Sequence, residues 1–84
     1  MLRIDVMERD DRAVLVLEGR VIGAWVEELR RSCRDALRRG TALTLDLAGV
    51  SFVDADGVVL LRDLASRRVA LANRTPFVAA QLRG

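Results

Sequence analysis

The sequence predicts an α/β fold, a mixed sheet of about four strands with helices packed on it, in the order β-β-α-β-α-β-α. Three observations predict it. Residues 2–7, 13–17, 43–47 and 69–72 are short stretches that alternate or run apolar, as strands do. Residues 24–39 and 55–67 are longer and repeat apolar side chains at helical spacing. Strands and helices alternate after the first two strands, which calls for parallel pairing through right-handed crossovers, while the opening pair forms an antiparallel hairpin.

Leu2, Ile4 and Val6 alternate with Arg3, Asp5 and Met7, the pattern of a strand with one wet face. Glu8-Arg9-Asp10-Asp11-Arg12 is a polar turn. Ala13 to Leu17 is a continuous apolar run, expected as a central strand covered on both faces. Gly19 and Gly23 bracket a loop, Arg20-Val21-Ile22. The helix expected from Ala24 to Arg39 carries a stripe of Ile22, Val26, Leu29, Cys33, Ala36 and Leu37, and Gly40 stops it. Leu43, Leu45 and Leu47 alternate with Thr44 and Asp46 in the third strand, and an apolar connector follows. Asp54 is suited to cap a helix from Ala55 to Arg67. Its apolar row is Val58, Leu61 and Ala65, with Leu60 and Leu64 alongside. Val69 to Ala72 is a short last strand. Thr75-Pro76 then has the form of an N-cap with proline at the first helical position, and Phe77 to Leu82 supplies one or two turns.

Eighty-four residues without a linker or repeat make one domain, 1–84. The chain has no His, Lys or Tyr. That removes imidazole bases, histidine metal ligands, Schiff-base lysines and the P-loop lysine, so the expectation is a protein that is not an enzyme and needs no cofactor. The lone Cys33 lies on the buried stripe and reads as a small core residue, which fits a reducing cytoplasm. No apolar run approaches the roughly 18 residues of a membrane span. All 14 basic residues are arginine, against 12 acids. The densest run, Arg30, Arg31, Arg34, Arg38 and Arg39, shares its helix with Glu27, Glu28 and Asp35. Glu27–Arg31 and Arg31–Asp35 have i,i+4 spacing, so this face reads as solvated rather than as a nucleic-acid surface.

The most informative segment is Leu43-Thr44-Leu45-Asp46-Leu47-Ala48-Gly49-Val50-Ser51-Phe52-Val53-Asp54-Ala55-Asp56-Gly57-Val58-Val59-Leu60-Leu61. It resembles the centre of STAS domains, found in bacterial anti-sigma factor antagonists and in the cytoplasmic tails of sulfate transporters. In the antagonists the turn usually reads Asp-Ser-Ser-Gly, and a partner kinase phosphorylates the second serine. Here the turn is Asp54-Ala55-Asp56-Gly57, so Asp56 holds the phosphosite position without a hydroxyl. A loop reading Gly-Glu-Leu-Asp often lies beside that turn in relatives. Here it reads Gly19-Arg20-Val21-Ile22. Many members continue through another strand and helix, so the resemblance implies a domain short at its C-terminus.

The resemblance implies a cytoplasmic docking domain for a regulatory protein, an anti-sigma factor kinase or a transporter component, with no membrane insertion. The expected contact residues are Val21, Ile22, Gly23, Trp25, Val53, Asp54, Ala55, Asp56, Gly57 and Val58. A carboxylate in the first helical turn imitates part of the phosphorylated state, so serine phosphorylation is not expected to switch this turn. An accessory subunit of a lipid-transport ATPase complex is an alternative. A nucleotide- or anion-binding module is another, since a strand–turn–helix junction presents free N–H groups. A magnesium reading needs Asp54, Asp56 and Asp46 to converge, and is not favoured. Trp25 reads as an edge-of-core or interface residue. The apolar stub Phe77, Val78, Ala79, Ala80 and Leu82, or an uncovered sheet edge, points to a homodimer.

Overall fold

The computed structural model describes residues 1–83. The chain forms β1 (Leu2–Arg9), β2 (Arg12–Val21), α1 (Ala24–Arg38), β3 (Ala42–Val53), α2 (Ala55–Ser66), β4 (Ala70–Ala72) and α3 (Pro76–Arg83). The four strands make one mixed sheet in the order β1-β2-β3-β4. β1 and β2 pair antiparallel, β2 and β3 parallel, and β3 and β4 parallel. The expected class, element order and crossover pairing are all present.

The core lies on one side of the sheet. Ala13, Leu15 and Leu17 of β2 and Leu43, Leu45 and Leu47 of β3 are buried there against Val26, Leu29, Cys33 and Ala36 of α1 and Leu60, Leu61 and Leu64 of α2. Val78 of α3 joins the same core. Burial pushes the Cys33 thiol up to about 12, so it stays protonated and inert.

Several local expectations need correction. β2 is covered on one face only: Val14 and Val16 alternate away from the core and are half-buried. The alternation was hidden because both faces of this central strand are apolar. Ile22 lies outside α1 and is half-buried, while Leu37 packs only partly on the core. Ala65 is exposed, and the buried row of α2 is Gly57, Leu60, Leu61 and Leu64. The ion pairs on α1 are Glu27–Arg30 and Glu28–Arg31 at i,i+3, in place of the i,i+4 pairs.

The largest difference is the length of β2 and β3. Residues 18–21 and 48–53 are strand, where a loop and a connector were expected. Two register shifts explain this. Val16 pairs with Asp46 but Glu18 with Gly49, and Gly19 pairs with Val50 but Arg20 with Phe52. β3 thus carries one extra residue at each step. Each bulge resets the inward alternation, so Leu47, Val50 and Val53, three apart, are all buried. Asp46 Oδ1 accepts from the Ala48 N–H at 3.0 Å and from the Asn73 amide at 3.2 Å, which holds the first bulge.

β4 pairs only with Thr44–Asp46, leaving the far half of β3 without a strand on the side away from β2. α3 takes that place. The Gln81 side chain donates to the Val53 carbonyl at 2.7 Å and accepts from its N–H at 3.2 Å. One side-chain amide thereby does for β3 what a strand backbone would do. Thr75 caps α3 by accepting from the Val78 N–H at 3.2 Å.

Candidate functional site

The site is the junction where β2 enters α1 and β3 enters α2. Both strands end at the same edge of the sheet, because Val21 pairs with Val53. The Asp54 N–H donates to the Val21 carbonyl at 3.1 Å, which extends that pairing by one residue. Asp54 then leaves the strand in extended conformation and its side chain turns back as the N-cap of α2. Oδ1 accepts from the Gly57 N–H at 2.8 Å. Oδ2 accepts from the Gly23 N–H at 2.9 Å, across to the neighbouring loop.

One carboxylate therefore serves two helix starts. α2 has its cap in its own sequence. α1 begins at Gly23, whose φ of 56° and ψ of −132° suit glycine and which has no side-chain cap of its own. The Gly23 N–H on Asp54 is the largest cause holding the Asp54 carboxyl below its ordinary 3.8, followed by the Gly57 N–H. A smaller contribution comes from the Asp56 N–H.

Gly57 sets the spacing between the two loops. It is buried in the first turn of α2. A Cβ there would lie 2.6 Å from Val53 Cγ1 and 2.8 Å from the Val21 carbonyl oxygen. Only a residue without a side chain lets the helix start seat on the ends of β2 and β3.

The expected contact residues thus come together but divide into two sets. Val21, Val53 and Gly57 are buried and shape the junction from beneath, which corrects their reading as contact residues. Gly23, Ala55 and Asp56 are exposed, and Ile22, Trp25, Asp54 and Val58 are half-buried. Asp56 has no ion-pair partner among the described residues. Ser51 lies before the turn, on β3, where its hydroxyl donates to the Gly19 carbonyl at 3.3 Å. Both Asp54 oxygens are taken by backbone N–H groups and Asp46 is engaged at the bulge, so the three acids do not converge on one point. Among the described residues no group of three or more His, Cys, Asp or Glu could hold a metal ion.

The family described as "Mlab, STAS domain" matches residues 4–83. The chain belongs to the STAS family. Its structure is similar to that of the anti-sigma factor antagonist SpoIIAA in its unphosphorylated form, with a TM-score of 0.76 and 21% identity over 99% of this chain and 82% of that one. It is also similar to an anti-sigma factor antagonist from Mycobacterium paratuberculosis, with a TM-score of 0.71 and 17% identity. That match covers 84% of this chain and 64% of the other. A third similar structure, Mglu, gives a TM-score of 0.65 and 28% identity over 86% of this chain but only 19% of that protein. At these identities the shared feature is the SpoIIAA-like fold. Family membership supports a protein-interaction domain in general terms.

Two features were missed by sequence reasoning. Asp54 was expected to cap α2, but not to hold Gly23. The available signal was a helix start at Gly23 with no Ser, Thr, Asp or Asn to cap it. Gln81 was not singled out, and a lone polar side chain in an apolar stub was its only trace.

Proposed function

We propose that the chain is a non-enzymatic, cytoplasmic docking domain of the anti-sigma factor antagonist type, which meets a regulatory protein through the start of α2. The supporting observation is the exposed, unpaired Asp56 on the first turn of α2, beside a loop that Asp54 ties to it. Ile22, Trp25, Ala55, Asp56 and Val58 form the contact surface on this reading. Its charge is fixed, so docking is constitutive rather than phospho-switched. Incubation with a cognate kinase and ATP is expected to leave residues 51–57 without phosphate by mass spectrometry. A stoichiometric gain there refutes this part of the reading.

A permanent charge also suits a permanent subunit, which favours the accessory role in a lipid-transport ATPase complex as the second reading. Native co-purification from the host separates the two: a kinase or sigma-regulating partner supports the first, a permease with its ATPase the second. Saturable nucleotide binding by calorimetry would instead support the anion-binding module.

The homodimer proposed from the sequence keeps two candidate surfaces, the C-terminal stub and the sheet edge. α3 folds back on its own chain with Val78 fully buried, while Phe77 stays half exposed beside Phe52. β1 remains an eight-residue edge with Val6 and Met7 exposed on its two faces. A mass near 9.3 kDa at all micromolar concentrations in sedimentation rules the dimer out.

A further inference from the structure

β1 is the long open edge of the sheet among the described residues. The opposite edge is β4, three residues long, and beyond it Gln81 stands in for a strand beside β3. Soluble proteins commonly blunt an edge with proline or a bulge. β1 has no proline. Its pairing with β2 runs from Leu2↔Gly19 to Arg9↔Arg12 without a register shift. Met1, Val6 and Met7 are 53–79% exposed and make up half of the exposed large apolar side chains, so apolar surface is concentrated along this edge.

The backbone of β1 has its free groups at alternate residues. The Met1 carbonyl accepts from the Arg20 N–H at 3.0 Å. Opposed residues of antiparallel strands alternate between pairs that exchange backbone bonds and pairs that do not. Met1, Arg3, Asp5 and Met7 therefore direct their backbone groups to β2. Leu2, Ile4 and Val6 direct theirs away from the sheet.

Residues 1–7 read Met-Leu-Arg-Ile-Asp-Val-Met, which is self-complementary about Ile4. Met1 mirrors Met7, Leu2 mirrors Val6, and Arg3 mirrors Asp5. We propose that β1 pairs antiparallel with β1 of a second copy about a two-fold axis at Ile4, joining the two four-stranded sheets into one. This rests on the homodimer reading and names its surface and register. In this register Ile4 meets its own copy and Leu2 meets Val6, the residues whose backbone groups are free, so each pair exchanges both ladder bonds. Arg3 meets Asp5 at the positions without backbone bonds, where opposed side chains approach most closely. In the single chain Arg3 Nε already lies 3.1 Å from Asp5 Oδ2, with both side chains exposed, so the two charges only exchange partners across the axis. Such pairs select a register more than they add strength. A slip of two residues sets Asp5 against Asp5 or Arg3 against Arg3, which is unfavourable. A slip of one turns the wrong faces together. A strand from another protein would gain the same backbone bonds but would not match the mirrored charges, so the second copy is the occupant that fits. None of residues 1–7 belongs to the contact surface proposed at the start of α2.

The test is sedimentation of the full chain from roughly 1 to 500 μM, the range suited to a small interface. The mass should rise with concentration from 9.3 kDa toward twice that value. Arg3→Asp and Asp5→Arg each set like charges against one another and should weaken association about tenfold or more. The double variant Arg3→Asp/Asp5→Arg should regain it, because the mirrored charges are opposite again. So should an equimolar mixture of the two single variants, in which each copy supplies what the other lacks. Both residues are exposed, so melting temperatures within a few degrees of the wild type verify that the variants fold. Single variants that lose the dimer without recovery in the double variant and the mixture overturn the proposal. A dimer that Phe77→Asp dissociates and Arg3→Asp leaves intact also overturns it, while keeping the homodimer reading with the stub as its surface. A mass of 9.3 kDa at every concentration ends both.

Discussion

The two helix starts at the top of the sheet are built by opposite means. α2 is specified locally: its cap, its acidic first turn and its close-packing glycine are consecutive in Asp54-Ala55-Asp56-Gly57. α1 begins at a glycine in a rarely used conformation and borrows its anchor from a residue 31 positions away. A local start is stable as soon as its own turn forms. A borrowed one forms only when β2 and β3 have paired, because that pairing carries Asp54 to Gly23. The lesson is that the junction is a single cooperative unit, and a change on one loop is felt on the other.

The sharpest way to break the comparison is Gly57→Ala. The added Cβ meets a backbone carbonyl and a buried valine, neither of which moves cheaply. The expected loss is about 2 kcal/mol or more, a fall in Tm of roughly 8–16 °C. A normal melting temperature would mean that the loops are not seated as described. Gly23→Ala should cost about 1–2 kcal/mol for a different reason. A Cβ there meets nothing within 4 Å, so the cost is the backbone angle alone. A loss greater for Gly23→Ala than for Gly57→Ala would reverse the contrast between the two starts.

Asp54 sharpens the comparison because its two oxygens can be separated. Asp54→Ala removes both anchors and should lower Tm by several degrees. Asp54→Asn can still accept from Gly57, but its amide nitrogen cannot accept from Gly23, so its Tm should fall by less. Hydrogen exchange should rise at the start of α1 in both variants, and at the start of α2 only in the alanine variant. The carboxyl also predicts a pH dependence. Its folded pKa is depressed, so its stabilising contribution is complete above the unfolded value near 3.8 and is lost as pH falls through the lower folded value. Chemical denaturation below pH about 4 should therefore show a steeper loss for the wild type than for Asp54→Asn. Parallel curves would remove Asp54 from this role.

The smallest expected effect on stability is that of Asp56→Ser. Asp56 is exposed and unpaired, so Tm should move by no more than a few degrees. Partner affinity should move much more. A large Tm change with unchanged affinity would make Asp56 part of the helix start rather than of the docking surface.

Much of this architecture was legible along the chain. Alternation at 2–7 and 43–47, helical spacing at 24–39 and 55–67, and the cap at Asp54 are local patterns that local backbone geometry follows. Legibility ended at residues 48–53. There the bulges break the two-residue period, so a strand looked like a connector. The candidate site followed the same division. The turn at 54–57 stood out in the sequence, whereas the burial of Val21 and Val53 depends on how the strand ends meet.

The sequence by itself determined the order of elements, the wet and dry faces of most of them, and the carboxylate at residue 56 in the turn that starts α2. These follow from residue type and spacing within a few positions. Tertiary structure alone decided that Asp54 holds Gly23, that Gln81 completes the edge of β3, and that the arginines of α1 face Asp63 and Arg67 across a groove. Each of these joins groups 28 or more residues apart or side chains on separate helices. Such partners are chosen by register and packing, which no local pattern records.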